Sequence, residues 1–343
     1  MTRRLYLDDG PGEARGVVTL GGLPERLLIR RVTDRSEHHT GARLIGRIGR
    51  LDRALATAFI DLGEEPHGVL SLTGDAARLP EGDRIEVEVT APARRDKGPV
   101  LRLIGAGEGE PRLLTPAPPI EAQLTGFAPG AVVVRGADAR TIADMAEDAA
   151  LAIEHPLPSG GRISIEPTRA LVAIDVDVGS AQGDARRAAS RANREALDAA
   201  ARLLRLKGLG GPVVFDLAGK GHDGEALKKA AGAAFAPDQP GVAFGPITRF
   251  GLWPITLPRR TAPVSEQLCR LDGAPTPETL ALRLLRAIED EAGSGQAVTA
   301  RAAPEVIAIA LLLAPRLVDR IGPRFHMEGD PSLPRAQFDV HAV

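Results

Sequence analysis

RALVAIDVDVGS, residues 169–180, is a run of apolar and β-branched residues broken by two acids, Asp175 and Asp177. Successive side chains of a strand point to opposite faces, so both carboxylates share one face and Val176 and Val178 the other. Upstream, GRISIEPTRA (161–170) reads as the first arm of a hairpin turning at Pro167. Downstream, GDARRAASRANREALDAAARLLRLKG (183–208) sets Ala189, Ala192, Ala196, Leu197, Ala200, Leu203 and Leu204 on one helical stripe. It stops at Gly208 and Gly210-Gly211. PVVFDLAG (212–219) follows as an apolar strand with Asp216 near its end. Strand, helix and strand make a βαβ unit, so the two acid-bearing strands are expected to be parallel with a right-handed crossover.

That order gives the acids a purpose. Ligands of open α/β sheets bind beyond the carboxyl ends of the strands. Two or three carboxylates gathered there raise one another's pKa, and a divalent cation removes the cost. Mg²⁺ takes few carboxylates, several waters and phosphate oxygens, and so suits hydrolysis of a phosphodiester. The plainer alternative is that Asp175 and Asp177 mark a strand end with Asx-type turns before Gly179. Between Arg162 and Arg260 there are 15 Lys and Arg against 10 Asp and Glu. A positive surround with an acidic centre fits a phosphate-rich polymer approaching a metal, although a solvated Arg/Glu helix face gives the same tally.

Composition limits the rest. The 343 residues are 43% hydrophobic, 26% charged and carry a net charge of −2, an ordinary balance for a soluble chain with a real core. A single cysteine, Cys269, excludes an intramolecular disulfide framework and fits a reducing cytoplasm. MTRRLYLDDG lacks the apolar stretch of a secretory signal, and VIAIALLLA (306–314) is too short to span a bilayer. The expectation is a cytoplasmic protein with no membrane partner.

Short alternating runs fill the first hundred residues: RLLIRRV (26–32), RLIGRIGRL (43–51), ALATAFIDLG (54–63), HGVLSL (67–72), DRIEVEVTA (83–91) and PVLRLIG (99–105). Strands this short and this closely spaced predict a small barrel. Residues 105–130 are rich in Gly and Pro and read as a linker or irregular loop. AVVVRG (131–136) reads as one strand, and TIADMAEDAALAIEH (141–155), TPETLALRLLRAIEDEAG (276–293) and APEVIAIALLLAPRLVDRIG (303–322) as helices. The last two offer an apolar face for a homodimer, though an ordinary core accounts for them better.

LPSGGRISIEPTRALVAIDVDVGS (157–180), NREALDAAARLLRLKGLGGPVVFDLAG (193–219) and ITRFGLWPIT (247–256) resemble the catalytic core of the ribonuclease E/G family of bacterial endoribonucleases. ATAFIDLGEEPHGVLSL (56–72) and DKGPVLR (96–102) resemble that family's S1 RNA-binding domain, and LALRLLRAIEDEAG onward its small domain. The resemblance implies an α+β multidomain chain, with an S1-like OB β-barrel attached to an RNase H-like/DNase I-like α/β core and a small C-terminal domain. The implied units are N-terminal strands packing on the core (1–35), an S1-like domain (36–104), a shortened linker or RNase H-like remnant (105–156), a DNase I-like catalytic subdomain (157–262) and a small C-terminal domain (263–343).

The resemblance also assigns roles. Asp175 and Asp216 fall on the family's catalytic acids and would hold Mg²⁺, with Mn²⁺ as the alternative, for hydrolysis of single-stranded RNA. Asp177 stands where the family has Asn and joins the catalytic set. Phe59 and Lys97 fall on RNA-contacting positions of the S1 domain, with Val69 in place of a second aromatic; by itself Phe59 reads equally as an ordinary barrel-core aromatic. Arg249 matches a basic residue of the family's RFG segment and is read as a contact to substrate phosphate, with a structural ion pair as the equal alternative. The family's insertion that senses an RNA 5′ monophosphate is absent, leaving Arg135-Gly136 as a poor remnant. CRLDG (269–273) puts Asp272 where a second zinc-binding Cys would stand, so zinc is not expected. The implied function is a Mg²⁺-dependent endoribonuclease without 5′-end sensing. The alternative is a non-catalytic RNA-binding protein that keeps the fold.

Overall fold

A computed structural model describes residues 2–95, 97–180 and 184–343. Asp96, in the DKGPVLR stretch, lies outside the described residues, as do residues 181–183, the last of which begins the stretch read as a helix from the sequence.

The chain opens with three antiparallel strands, β1 (Arg3–Gly10), β2 (Glu13–Leu20) and β3 (Leu23–Arg31). Next come β4 (Arg43–Asp52), β5 (Thr57–Asp61), β6 (Gly68–Ser71), β7 (Arg84–Ala91), β8 (Val100–Ala106) and β9 (Arg112–Thr115). The first five of these close a barrel in the order β4-β5-β6-β8-β7 and back to β4. Only β6 and β8 run parallel in it. Its interior is filled by Leu44, Ile48, Ile60, Ile85, Val87 and Val89, each at most 2% exposed. The predicted linker is not irregular. β9 pairs along β4, and α1 (Ile120–Phe127) buries Ile120 and Leu124 against β1 and β2. The Gly and Pro residues there sit between short elements, which hid their pattern.

Beyond α1 come β10 (Val133–Val134), α2 (Ala137–Leu151), β11 (Glu154–Pro156), β12 (Arg162–Pro167), β13 (Val172–Asp177), α3 (Ala185–Lys207), β14 (Gly211–Asp216), α4 (Gly224–Ala234), β15 (Ala243–Phe244) and β16 (Leu252–Leu257). The central sheet runs β11-β12-β13-β14-β16-β15. β13 and β14 are its parallel pair, joined by α3 as the sequence predicts. Asp184 caps α3 by accepting from Arg186 N at 2.9 Å, and Gly208 ends it at φ 69°, a left-handed value that a Cβ would strain. The helix sets its Ala and Leu stripe on the sheet and packs its other side on β3. One sheet face is therefore core and the other is open. α5 (Val264–Leu268) buries Val264 and Leu268 in the central core, and the C-terminal unit comprises α6 (Pro277–Glu291), β17 (Val298–Ala302), α7 (Pro304–Ile321), β18 (Phe325–Gly329) and β19 (Phe338–Ala342), with both long helices packed on a β18-β17-β19 sheet. No helix among the described residues is long and apolar enough to cross a membrane.

Buried charge ties the units together. Arg15 of β2 is fully buried and pairs with Asp8 at 2.6 Å, Asp144 at 2.7 Å and Glu147 at 3.1 Å. Glu147, on α2, also pairs with Arg283 of α6 at 2.5 Å. Burial pushes the Glu147 carboxyl up; Arg283, Arg286 and Arg15 overcome this and hold it below the ordinary value. Removing a buried charge leaves its partners uncompensated, so Glu147→Gln is expected to cost about 3–5 kcal/mol in denaturant unfolding. Asp144→Asn, on the solvent side of the same cluster, is expected to cost about 1 kcal/mol or less.

His155 of β11 is 9% exposed, and its Nε2 is buried without a hydrogen-bond partner among the described residues. Burial, then the nearby Lys207 ammonium, pushes its pKa down to about 4. Between about pH 6.5 and pH 4 the unfolded chain binds a proton there that the folded chain refuses. Stability therefore falls as the pH drops through that window, by about 3 kcal/mol from this residue. His155→Gln is expected to flatten the loss by that amount when unfolding free energy is measured against pH.

Candidate active site

β13 alternates. Val172, Ile174 and Val176 enter the core, while Ala173, Asp175 and Asp177 face the open side. β14 does the same, with Val213 and Phe215 inward and Asp216 outward. The parallel ladder pairs Asp175 directly with Asp216. Adjacent strands lie about 4.8 Å apart, so the two carboxylates are neighbours on one exposed surface. The row across the sheet there is Ser164, Asp175, Asp216, Leu252. Neither aspartate forms a hydrogen bond or ion pair through its side chain among the described residues.

Asp177 stands apart. Its Oδ1 accepts from Gly179 N at 2.9 Å, and its Oδ2 lies 3.2 Å from Arg162 Nε. The Asx-turn alternative therefore holds for Asp177 and not for Asp175. Three carboxylates do not converge, and no group of three or more His, Cys, Asp or Glu able to hold a metal occurs among the described residues. The Asp175–Asp216 pair alone fits a hard cation that keeps most of its waters, because the pair is exposed, adjacent and otherwise unpartnered.

The backbone beyond Asp216 is pinned by a residue the sequence reading passed over. Asn193 of α3 is 1% exposed. Its Oδ1 accepts from Ala218 N at 2.9 Å and its Nδ2 donates to Ala218 O at 3.0 Å. Both bonds fall two residues past Asp216. Only a polar side chain among the alanines of the α3 stripe hinted at this. Next to that turn lies a cleft of about 620 Å³, lined from one side by His222 and Lys228 and from the other by Thr248 and Arg249. The glycine-rich LAGKGHDG (217–224) was the available signal for it.

The remaining residues singled out by resemblance lie elsewhere. Phe59 points outward between buried Ala58 and Ile60, so it is not barrel core; the Arg50 guanidinium stacks 4.7 Å from its ring, and Val69 lies directly across the ladder. Lys97 is exposed in the β7–β8 connection. Neither is joined to the acid pair by a hydrogen bond or ion pair among the described residues. Arg249 is exposed before β16 and lies 4.7 Å from the Phe250 ring, with no carboxylate partner among the described residues. Cys269 is buried, and burial pushes its thiol up. Asp272 instead closes a turn, accepting from Ala274 N at 3.0 Å.

Losing Asn193 leaves the half-buried N–H and C=O of Ala218 without their partner, which costs about 1–3 kcal/mol in all. Asn193→Ala is expected to destabilise the chain in that range and to speed amide exchange at Ala218, with little change at β4–β8.

The model of the Ribonuclease E/G family matches residues 140–260. Ribonuclease E of Escherichia coli strain K12 is 37% identical over 148 residues, 40% of this chain and 14% of that protein. Ribonuclease E of Haemophilus influenzae is 36% identical over 148 residues, 40% of this chain and 16% of its own length. Ribonuclease E of Synechocystis is 30% identical over 167 residues, covering 46% of this chain and 24% of that protein. The matched part thus spans under a quarter of each relative's length. The stretch matched by the family holds α3, β13, β14 and the open face bearing Asp175 and Asp216, and the resemblance to the ribonuclease E/G family resides in it.

Proposed function

We propose that the chain is a metal-dependent endoribonuclease acting on single-stranded RNA, with Asp175 and Asp216 as its catalytic pair. The observation that carries this reading is their direct pairing on adjacent parallel strands, exposed and free of other partners, within the segment matched by the Ribonuclease E/G family. Mg²⁺ is the proposed cation, held by Asp175 and Asp216. When bound, it supplies a Lewis acid that polarises a phosphodiester and lowers the pKa of water. The chain's own part is positional. α3 fixes the parallel register, and Asn193 holds the turn after Asp216. Asp177 serves through Arg162 and the Gly179 turn, so it shapes the end of β13 and reaches the catalytic set only indirectly.

The barrel's strand order is that of an OB-fold, which supports the S1-like assignment. Phe59 and Lys97 are its proposed RNA contacts, and Arg249 the proposed phosphate contact at the central sheet. We assign the domains as read from the sequence, with the barrel unit extended through β9. Absence of 5′-monophosphate sensing remains part of the proposal. Arg135, the residue left at that place, pairs with Glu121 at 2.7 Å.

Cleavage of a short unstructured RNA in Mg²⁺ is expected to fall by about 10³-fold or more in Asp175→Asn and in Asp216→Asn, and by far less in Asp177→Asn. Cleavage surviving in both of the first two variants, or in EDTA, refutes the reading. RNA binding without cleavage across a Mg²⁺ and Mn²⁺ titration would favour the non-catalytic alternative.

A further inference from the structure

The cleft beside Asp216 has a composition that the acid pair does not explain. It opens where β14 ends and β16 begins. Leu217 N donates to Gly251 O at 3.2 Å, and Thr248 Oγ1 accepts from Leu252 N at 3.1 Å, so both rims are tied to the Asp216–Leu252 row. Its volume of about 620 Å³ lies within the range of small-molecule sites. Lys228 and Arg249 present two cations to it, and neither has a carboxylate partner among the described residues. Glu225 is the carboxylate on the lining. His222 lies against the backbone of Gly251, and its Nε2 is buried yet has no hydrogen-bond partner among the described residues. Phe250, between Arg249 of the lining and Gly251 against His222, is 72% exposed, and the Arg249 guanidinium lies over one face of its ring. The floor is rigid, because Trp253 Nε1 donates to Gly245 O at 2.9 Å and its ring packs 5.9 Å from Phe244.

We infer that this cleft is a nucleotide subsite. It would take one unit of a single-stranded RNA next to the bond held at Asp175 and Asp216. The pieces match the parts of a nucleotide. Lys228 and Arg249 meet a phosphate flanking the scissile one. The exposed Phe250 ring offers a stacking surface that tolerates any base. An exposed aromatic that carries the Arg249 guanidinium on one face has no role in packing this chain, whereas stacking and charge together are how single-stranded RNA is held. The inference rests on the ribonuclease reading for the identity of the polymer, but not for occupancy of the cleft.

Trp253 is the chain's single tryptophan and lies, 1% exposed, at the floor of the cleft, so its fluorescence follows changes in that floor. Titrating the full chain with nucleoside 5′-monophosphates, without divalent metal, is expected to give a saturable Trp253 signal. Phe250→Ala and Lys228→Ala should each weaken that binding by about tenfold. Lys97→Ala, on the barrel, should leave it unchanged, and so should Asp175→Asn. In cleavage assays Phe250→Ala should raise KM for the RNA by a similar factor at nearly constant kcat. A flat titration of the wild-type chain overturns the inference. So does an equal signal in wild type, Phe250→Ala and Lys228→Ala. A signal from mononucleotides with KM unchanged in Phe250→Ala overturns it as an RNA subsite. A saturable, variant-sensitive signal in a chain that cleaves nothing upholds the cleft and refutes the catalytic reading alone.

Discussion

The carboxylate of Glu147 joins three parts of the molecule. It receives Arg15 from the N-terminal sheet and Arg283 from the C-terminal unit, and it is itself carried by α2. A second bridge runs beside it, where Glu13 of β2 meets Arg31 of β3 at 2.8 Å and Arg286 of α6 at 2.7 Å. Taking so many charges out of water is expensive, and their mutual attraction mainly repays that cost. The gain is in specificity, because guanidinium forks meet carboxylates in few geometries. A slip of β2 by one residue would turn Arg15 to the opposite face, away from Asp8 and α2. The cluster thereby fixes α2 against the N-terminal sheet. The same core continues into α3 and the inner face of the central sheet. The face this arrangement leaves uncovered carries Asp175 and Asp216.

An uncovered face changes the energetics expected of paired acids. Two unit charges about 5 Å apart in low dielectric repel strongly, but in water the repulsion is of order 1 kcal/mol. Asp175 and Asp216 are exposed, so the folded chain tolerates them as bare neighbours. A cation there is a matter of chemistry and not a condition of folding. IDVDV looks like a buried run when its hydrophobic residues are counted. Its alternation belongs to a half-solvated strand, because only Ile174 and Val176 enter the core.

That distinction runs through what was legible in the chain. The five barrel strands were visible because each alternates and ends in a turn signal. α3 was visible because its stripe is long and its last turn meets glycine. β2 carries charged Arg15 and Glu13 inward, paired with residues distant in sequence, and β1 buries Asp8 against Arg15, so both break the alternation that marks a strand. α4, GEALKKAAGAA, buries only Leu227 and Ala231 and offers almost no stripe. β17–β19 depend on packing against α6 and α7, which periodicity does not encode. In the candidate site the two aspartates were found because their strands were. Asn193 was not, because its partners are the backbone N–H and C=O of a turn twenty-five residues away.

The separation of Asp175 from Asp177 comes from where a neighbouring strand stops. Both point to the open face, two residues apart. β14 ends at Asp216, level with Asp175, so its ladder offers no carboxylate beside Asp177. On the other side β12 continues and brings Arg162 level with Asp177, and Ser164, a small uncharged residue, level with Asp175. Asp177 is thus neutralised by a cation and bent into the turn at Gly179, while Asp175 meets a second acid and no counter-charge. Shared facing follows from the sequence interval, but neighbours follow from register, and register depends on the length of a strand thirty-nine residues further along. Two identical side chains on one strand face therefore carry different chemistry, one closing a turn and the other left free to bind.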